Sequence, residues 1–134
     1  MSGLQVLRRG LAALLLSICL LLSAALPAQA GPVEWQELPP SSEGQQWWDA
    51  GSLRLNRQGN LTVLSRYLSS SPDASPASRL YVMEIDCGQT LFRDTSINGI
   101  PQWNSPWQPS GADGLIEETI AAVCAAGTDL LASR

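Results

Sequence analysis

The stretch YVMEIDCGQT, residues 81–90, alternates apolar and polar side chains and then stops on a cysteine and a glycine. Alternation with a period of two marks a β-strand with one buried face. Read from Arg79 to Cys87, it places Tyr81, Met83, Ile85 and Cys87 on one face and Glu84 and Asp86 on the other. The thiol thus points with the apolar set, into a core. What it does there depends on its partner, and the chain offers only Cys19 and Cys124.

Cys19 is removed from contention by its surroundings. MSGLQVLRRG (1–10) carries two arginines and no acid, and LAALLLSICLLLSAAL (11–26) is an apolar run closed by Pro27 and AQA (28–30). This is the order of a secretory signal peptide, with Ala28 and Ala30 as the small residues that signal peptidase requires. The rival reading, an anchor that is never cleaved, needs about 20 apolar residues, and this run is shorter. Lipid attachment at Cys19 is disfavoured by Ile18 before it, and Leu7 and Gly10 around the two arginines do not fit a twin-arginine signal. Residues 1–30 are therefore expected to leave with Cys19, giving an exported chain that is periplasmic, extracellular or lumenal.

The remaining chain, residues 31–134, is long enough for one small domain. It holds six arginines, twelve acids, no lysine and no histidine, a net charge of −6. So acidic a chain has no electrostatic means of holding nucleic acid and is repelled by anionic lipid surfaces. With two thiols left in an oxidising compartment, one pairing is possible, Cys87 with Cys124. A bridge closing that interval stabilises by roughly 3–4 kcal/mol in the loop-entropy picture. That is a large share of the 5–15 kcal/mol typical of a whole domain.

The rest of the chain divides around this bridge. GPVEWQELPPSSEGQQ (31–46) reads as a flexible N-terminal arm, because proline and polar residues dominate it. WWDAGSLRL (47–55), RQGN and LTVLSRYL (61–68) read as a hairpin, with Gly59 and Asn60 at the turn. SSSPDASPAS (69–78) is a polar connector. TLFRDTSINGIPQW (90–103) reads as a further strand pair, or a strand and turn, with Asn98-Gly99 as the tight-turn signal. The one helix expected is 113–127, capped by Asp113 or Ser110, with Ile116, Ile120, Val123, Cys124 and Gly127 on one stripe. Cys124 would bolt that stripe to the sheet. TDLLASR (128–134) is expected as a tail that adds a short strand or frays.

The expected fold is thus α+β: an antiparallel sheet of about five to six strands, with a C-terminal helix packed on it and tethered by a disulfide. The stretch WWDAGSLRLNRQGNLTVLSRY (47–67), then EIDC (84–87), then Trp107, Pro109-Ser110 and Val123-Cys124, in this order and spacing, resembles the bacterial surface-adhesin protein E-like family. The resemblance covers residues 45 to about 127. It implies a small sheet of about six strands with the helix on its concave side, and some members act as adhesins for host matrix proteins. None of their binding motifs maps onto this chain residue by residue.

Little in the chain suggests catalysis. Without histidine there is no imidazole base and no imidazole metal ligand. Glu84 and Asp86 could in principle hold a cation or act as paired carboxylates, but such spacing is ordinarily a solvated strand face. Asp49, in apolar company, is expected to cap turn amides. The sequence NLT (60–62) fits a glycosylation acceptor. No cofactor and no metal is expected.

Five tryptophans are the unusual feature. Trp107 is expected as a core residue beneath the start of the helix, while Trp35, Trp47 and Trp103 are open to exposure. The expected function is non-enzymatic binding to an envelope component or another extracytoplasmic protein. Trp103, Trp107, Glu84 and Asp86 are the candidate binding residues. The alternative is a small-ligand or carbohydrate binder that uses exposed tryptophans.

Overall fold

A computed structural model describes residues 2–22 and 31–133. Two units are present, residues 1–30 and 31–134. In the first, α1 (Ser2–Leu22) exposes Leu4, Val6, Leu7, Leu11 and Leu14. Ala28 and Ala30 of the expected cleavage site lie outside the described residues. Among the described residues, no helix is long and apolar enough to cross a membrane.

The second unit is an antiparallel sheet with helices following it. Its strands are β1 (Trp35–Glu37), β2 (Gly44–Asp49), β3 (Arg54–Leu55), β4 (Leu61–Ser69), β5 (Arg79–Asp86), β6 (Leu91–Ile97), β7 (Ile100–Pro101) and β8 (Gln108–Pro109). They run in the order β1-β2-β4-β5-β6-β7, with β3 beside β4 and β8 beside β6. The class is the α+β arrangement expected, with eight strands rather than five or six. The additional strands are β1, in the stretch read as an arm, β3, split off from the strand read over 47–55, and β8; β3 and β8 are two residues long, too short to leave a periodic pattern.

The expected strand 47–55 is divided. A 3-10 turn over Ala50–Ser52 separates β2 from β3, although both pair with β4. Asp49 causes the break: its Oδ1 accepts from the Gly51 amide at 2.9 Å and from the Glu34 amide at 2.7 Å. The residue caps turn amides, as the sequence suggested.

The stretch 31–46 is a correction to the expected flexible arm. It contributes β1 and the first half of β2, and it buries Leu38 and Gln46. Of its prolines, Pro32 precedes β1 and Pro39 and Pro40 lie in the β1–β2 connection, where they cost no ladder hydrogen bond. Trp35 secures the edge, since the Arg66 guanidinium lies 4.9 Å from its ring centroid and 4.3 Å from that of Trp47.

The core lies between the sheet and α2 (Gly114–Ala126). Leu61, Val63, Met83, Ile85 and Phe92 come from three adjacent strands and meet Ile120 and Val123 of the helix. Asp113 caps α2, accepting from the Leu115 and Ile116 amides at 3.1 Å. The buried stripe is Leu115, Thr119, Ile120 and Val123, so Ile116 and Cys124 sit on its flank rather than its centre. At Gly127 a β-carbon would come within 2.4 Å of a methyl of the buried Leu61, so a larger residue here would have to displace that side chain from the core.

Residues 128–133 also differ from expectation. They form α3 (Thr128–Ala132), whose Leu130 and Leu131 pack against the core instead of fraying or adding a strand.

Candidate functional site

The disulfide is where the sequence placed it. Cys87, just beyond β5, is bonded to Cys124 of α2 with the α-carbons 5.8 Å apart, within the ordinary range for an unstrained bridge. Both cysteines pack on the core. Their role is structural.

The sheet face turned away from α2 holds the charged candidates, and there the expectation of a solvated acidic face fails. Glu84 is only 4% exposed. It lies directly across from Arg93 in the β5–β6 register. Arg93 donates through Nε to Glu84 Oε2 at 2.8 Å, with Nη2 at 2.7 Å. Asn56 and Asn60 donate to Oε1 at 2.7 and 2.9 Å. Burial alone would raise the Glu84 pKa, but the hydrogen bonds from Asn60, Arg93 and Asn56 and the Arg93 charge outweigh it and hold the carboxyl below its ordinary value. Glu84 therefore ties the turn between β3 and β4 to the middle of the sheet. The same contact occupies the Asn60 amide, the nitrogen a glycan would use.

Asp86 is not part of this cluster. Its two carboxylate oxygens accept from the backbone and side-chain nitrogens of Gln89, closing the turn after β5. The Glu84/Asp86 pair read from the sequence is thus two separate structural carboxylates.

Trp107 is likewise moved from its expected place. It is half-buried, not in the core beneath the helix, and the Arg93 guanidinium stacks over it at 4.6 Å from the ring centroid. Because Arg93 pairs with Glu84, Trp107 belongs to the face opposite α2. The following residues, β8, hold this segment against Leu91 and Phe92 of β6.

Trp103 stands apart from all of these. It is 85% exposed, whereas Trp48 is in the core and Trp35, Trp47 and Trp107 are half-buried against arginines. The β6–β7 turn sets its position: Asn98 and Gly99 adopt φ of 48° and 80°, the positive pair of a tight hairpin turn. Asn98 also exchanges hydrogen bonds with Leu80, donating its amide and accepting through Oδ1. Leu80 and Ile100 (66% exposed) flank this turn on opposite faces of the sheet, and Trp103 follows just beyond β7. An indole left this open to solvent is a candidate contact for a partner.

Two residues that matter here escaped the sequence reading. Arg66 carries no motif, and only the β2–β4 register reveals its place between two indoles. Asp94 did leave a signal: it is two residues after Phe92 on a strand, and so on the inward face. A register shift between β5 and β6 at Val82/Met83 leaves Asp94 opposite Met83, facing a cavity. Burial pushes its pKa up to about 6.

No curated protein and no solved structure matches the chain. A family model does, over residues 36–130, the span of the sheet and helices just described, and the chain belongs to the surface adhesin-E family.

Proposed function

We propose that the domain is an exported, non-enzymatic binding module that engages an envelope component or another extracytoplasmic protein through the exposed Trp103 just beyond β7. Membership in the family points to a surface-associated binding role. The observation that carries the finer reading is the 85% exposure of Trp103, in a domain whose other tryptophans are packed. A large indole left in water contributes nothing to this fold, yet tryptophan is the side chain most enriched at interface hot spots.

Export is supported by the N-terminal pattern and by the Cys87–Cys124 bridge, a bond that persists in oxidising compartments. The non-enzymatic reading is supported by the absence of histidine from the whole chain. It is also supported by the structural employment of Glu84 and Asp86, the carboxylates that looked most available.

A photoreactive residue placed at position 103 tests the proposal. Crosslinking should trap a discrete envelope or extracytoplasmic protein, and the same group placed at Gln58, on another exposed turn, should not. Equal products from both positions would refute the Trp103 surface. Titration with neutral sugars, followed by tryptophan fluorescence, separates the carbohydrate alternative, since only Trp103 offers a largely uncovered ring among the described residues. Intact mass of the exported protein should correspond to a chain beginning at Gly31.

A further inference from the structure

A cavity of about 270 Å³ lies on the helix side of the sheet, reaching from β2 and β4 to the start of α2. Its walls include Gln46, Tyr67, Tyr81, Phe92, Asp94 and Asp113. Three of these are aromatic rings and two are carboxylates, and no arginine lines it.

The polar groups of this cavity are weighted toward hydrogen-bond acceptors. Gln46 is 3% exposed and donates through Nε2 to Ser65 Oγ at 2.9 Å, while its carbonyl oxygen has no partner among the described residues. The Asp94 carboxylate is half-buried and has neither a hydrogen bond nor an ion pair among the described residues. Asp113 spends Oδ1 on the α2 cap. Tyr67 donates its hydroxyl to the Glu43 carbonyl at 2.9 Å, which fixes its ring.

These groups select a ligand by charge. An anion would meet two carboxylates and no counter-charge. A neutral apolar molecule would leave the Asp94 carboxylate and the Gln46 oxygen desolvated and unpaired, which is unfavourable. A primary ammonium pairs with the Asp94 carboxylate, and its charge is further favoured by aromatic faces. The volume lies just under the range that accommodates drug-sized molecules, so the ligand is small.

We propose that this cavity is a binding site for a small primary ammonium compound, with the ammonium held by Asp94 and the alkyl chain lying against Tyr81 and Phe92. The site is separate from the Trp103 surface and does not depend on it. The same chemistry could reach the cavity as a free amine or as the side chain of a lysine, and the probes must distinguish them.

The test uses n-pentylamine, with n-pentanol and pentanoate as the neutral and anionic counterparts of similar size. Nα-acetyl-lysine amide is the fourth probe. Amide chemical shifts of the isotope-labelled protein are followed as each is added. Pentylamine should move the signals of Tyr81, Met83 and Asp94 saturably, and pentanol and pentanoate should not. Asp94→Asn, which preserves shape, should weaken pentylamine binding by roughly tenfold or more. Tyr81→Leu, which removes a ring and leaves the carboxylate, should weaken it less. Binding of pentylamine alone assigns a free amine, and comparable or tighter binding of the lysine amide assigns a lysine side chain. No binding of either amine, equal binding of amine and alcohol, or an amine affinity indifferent to Asp94→Asn would each overturn the proposal.

Discussion

Glu84 on β5 and Arg93 on β6 face each other across the antiparallel register, with Oε2 and Nη2 2.7 Å apart and the carboxylate almost completely shielded from water. A third partner sits on the far side of the arginine, the ring of Trp107. Removing the carboxylate strands the guanidinium and also releases Asn56 and Asn60. Breaking a buried pair from one side costs about 3–5 kcal/mol, and partial solvent access to Arg93 reduces this. Glu84→Ala should therefore destabilise by roughly 2–3 kcal/mol in urea denaturation. Asp86→Ala, which loses only a local turn contact, should cost about 1 kcal/mol or less.

Asp94 and Glu84 give the stability opposite dependences on pH. The Asp94 pKa is raised from 3.8 to about 6, so the folded state holds a proton that the unfolded chain has already released. Its contribution is full below about pH 4 and is lost as pH rises through about 6. Glu84 has a depressed pKa, and its contribution, present above the unfolded value, is lost as pH falls through the folded one. Asp94→Asn should remove the decline between about pH 4 and 6 and raise stability at pH 7 by about 1 kcal/mol, since partial access to solvent reduces the cost of burying the charge. Denaturation midpoints measured across that range check the sign. A profile unchanged by the substitution would mean that Asp94 is solvated like an ordinary surface acid.

The Cys87–Cys124 bridge joins the end of β5 to the flank of α2, 37 positions apart. The denatured, unreduced protein should contain no free thiol in the chain from Gly31. Cys124→Ala should cost about 3–4 kcal/mol, mainly by enlarging the unfolded ensemble. If its melting temperature matched that of the parent, the helix would be held by Leu115, Ile120 and Val123 alone.

What could be read from the sequence depended on how far each signal reached. The strand ending at Cys87, the Asn98-Gly99 turn and the Asp113 cap were legible, because alternation, positive-φ residues and capping oxygens act within a few positions. The disulfide was legible because only two thiols remained to pair once Cys19 was set aside. The edge strand at Trp35 was not, because a proline-rich stretch looks unstructured until Arg66, 31 residues later, supplies the contact that holds it. Glu84 looked solvated for a related reason. Its face of the strand is polar by pattern, and its burial comes from Asn56, Asn60 and Arg93 on two other segments. Trp107 was misplaced because hydrophobicity locates an indole in a core but does not say on which side of a sheet.

Trp103 separates two ways of recognising a partner. At 85% exposure it makes little of the fold, so Trp103→Ala should alter stability by no more than about 0.5 kcal/mol. A hot-spot indole nevertheless carries about 2 kcal/mol or more of binding, so the same change should weaken partner capture by roughly thirtyfold. Capture through buried aromatic contact should also be nearly indifferent to salt. The opposing possibility is that the net charge of −6 on residues 31–134 steers a basic partner, in which case association slows as ionic strength rises. Substituting Glu84 and Asp86 cannot decide between them, because Glu84 holds the sheet together. Glu117 and Glu118 are exposed on α2 and can be changed to glutamine without opening the core. Loss of capture with Trp103→Ala, retained by Glu117→Gln/Glu118→Gln and steady from low to high salt, is the expected pattern. Capture by the parent that falls as salt rises, and that is weakened at low salt by Glu117→Gln/Glu118→Gln but not by Trp103→Ala, would place recognition in the charge of the domain and not in its exposed indole.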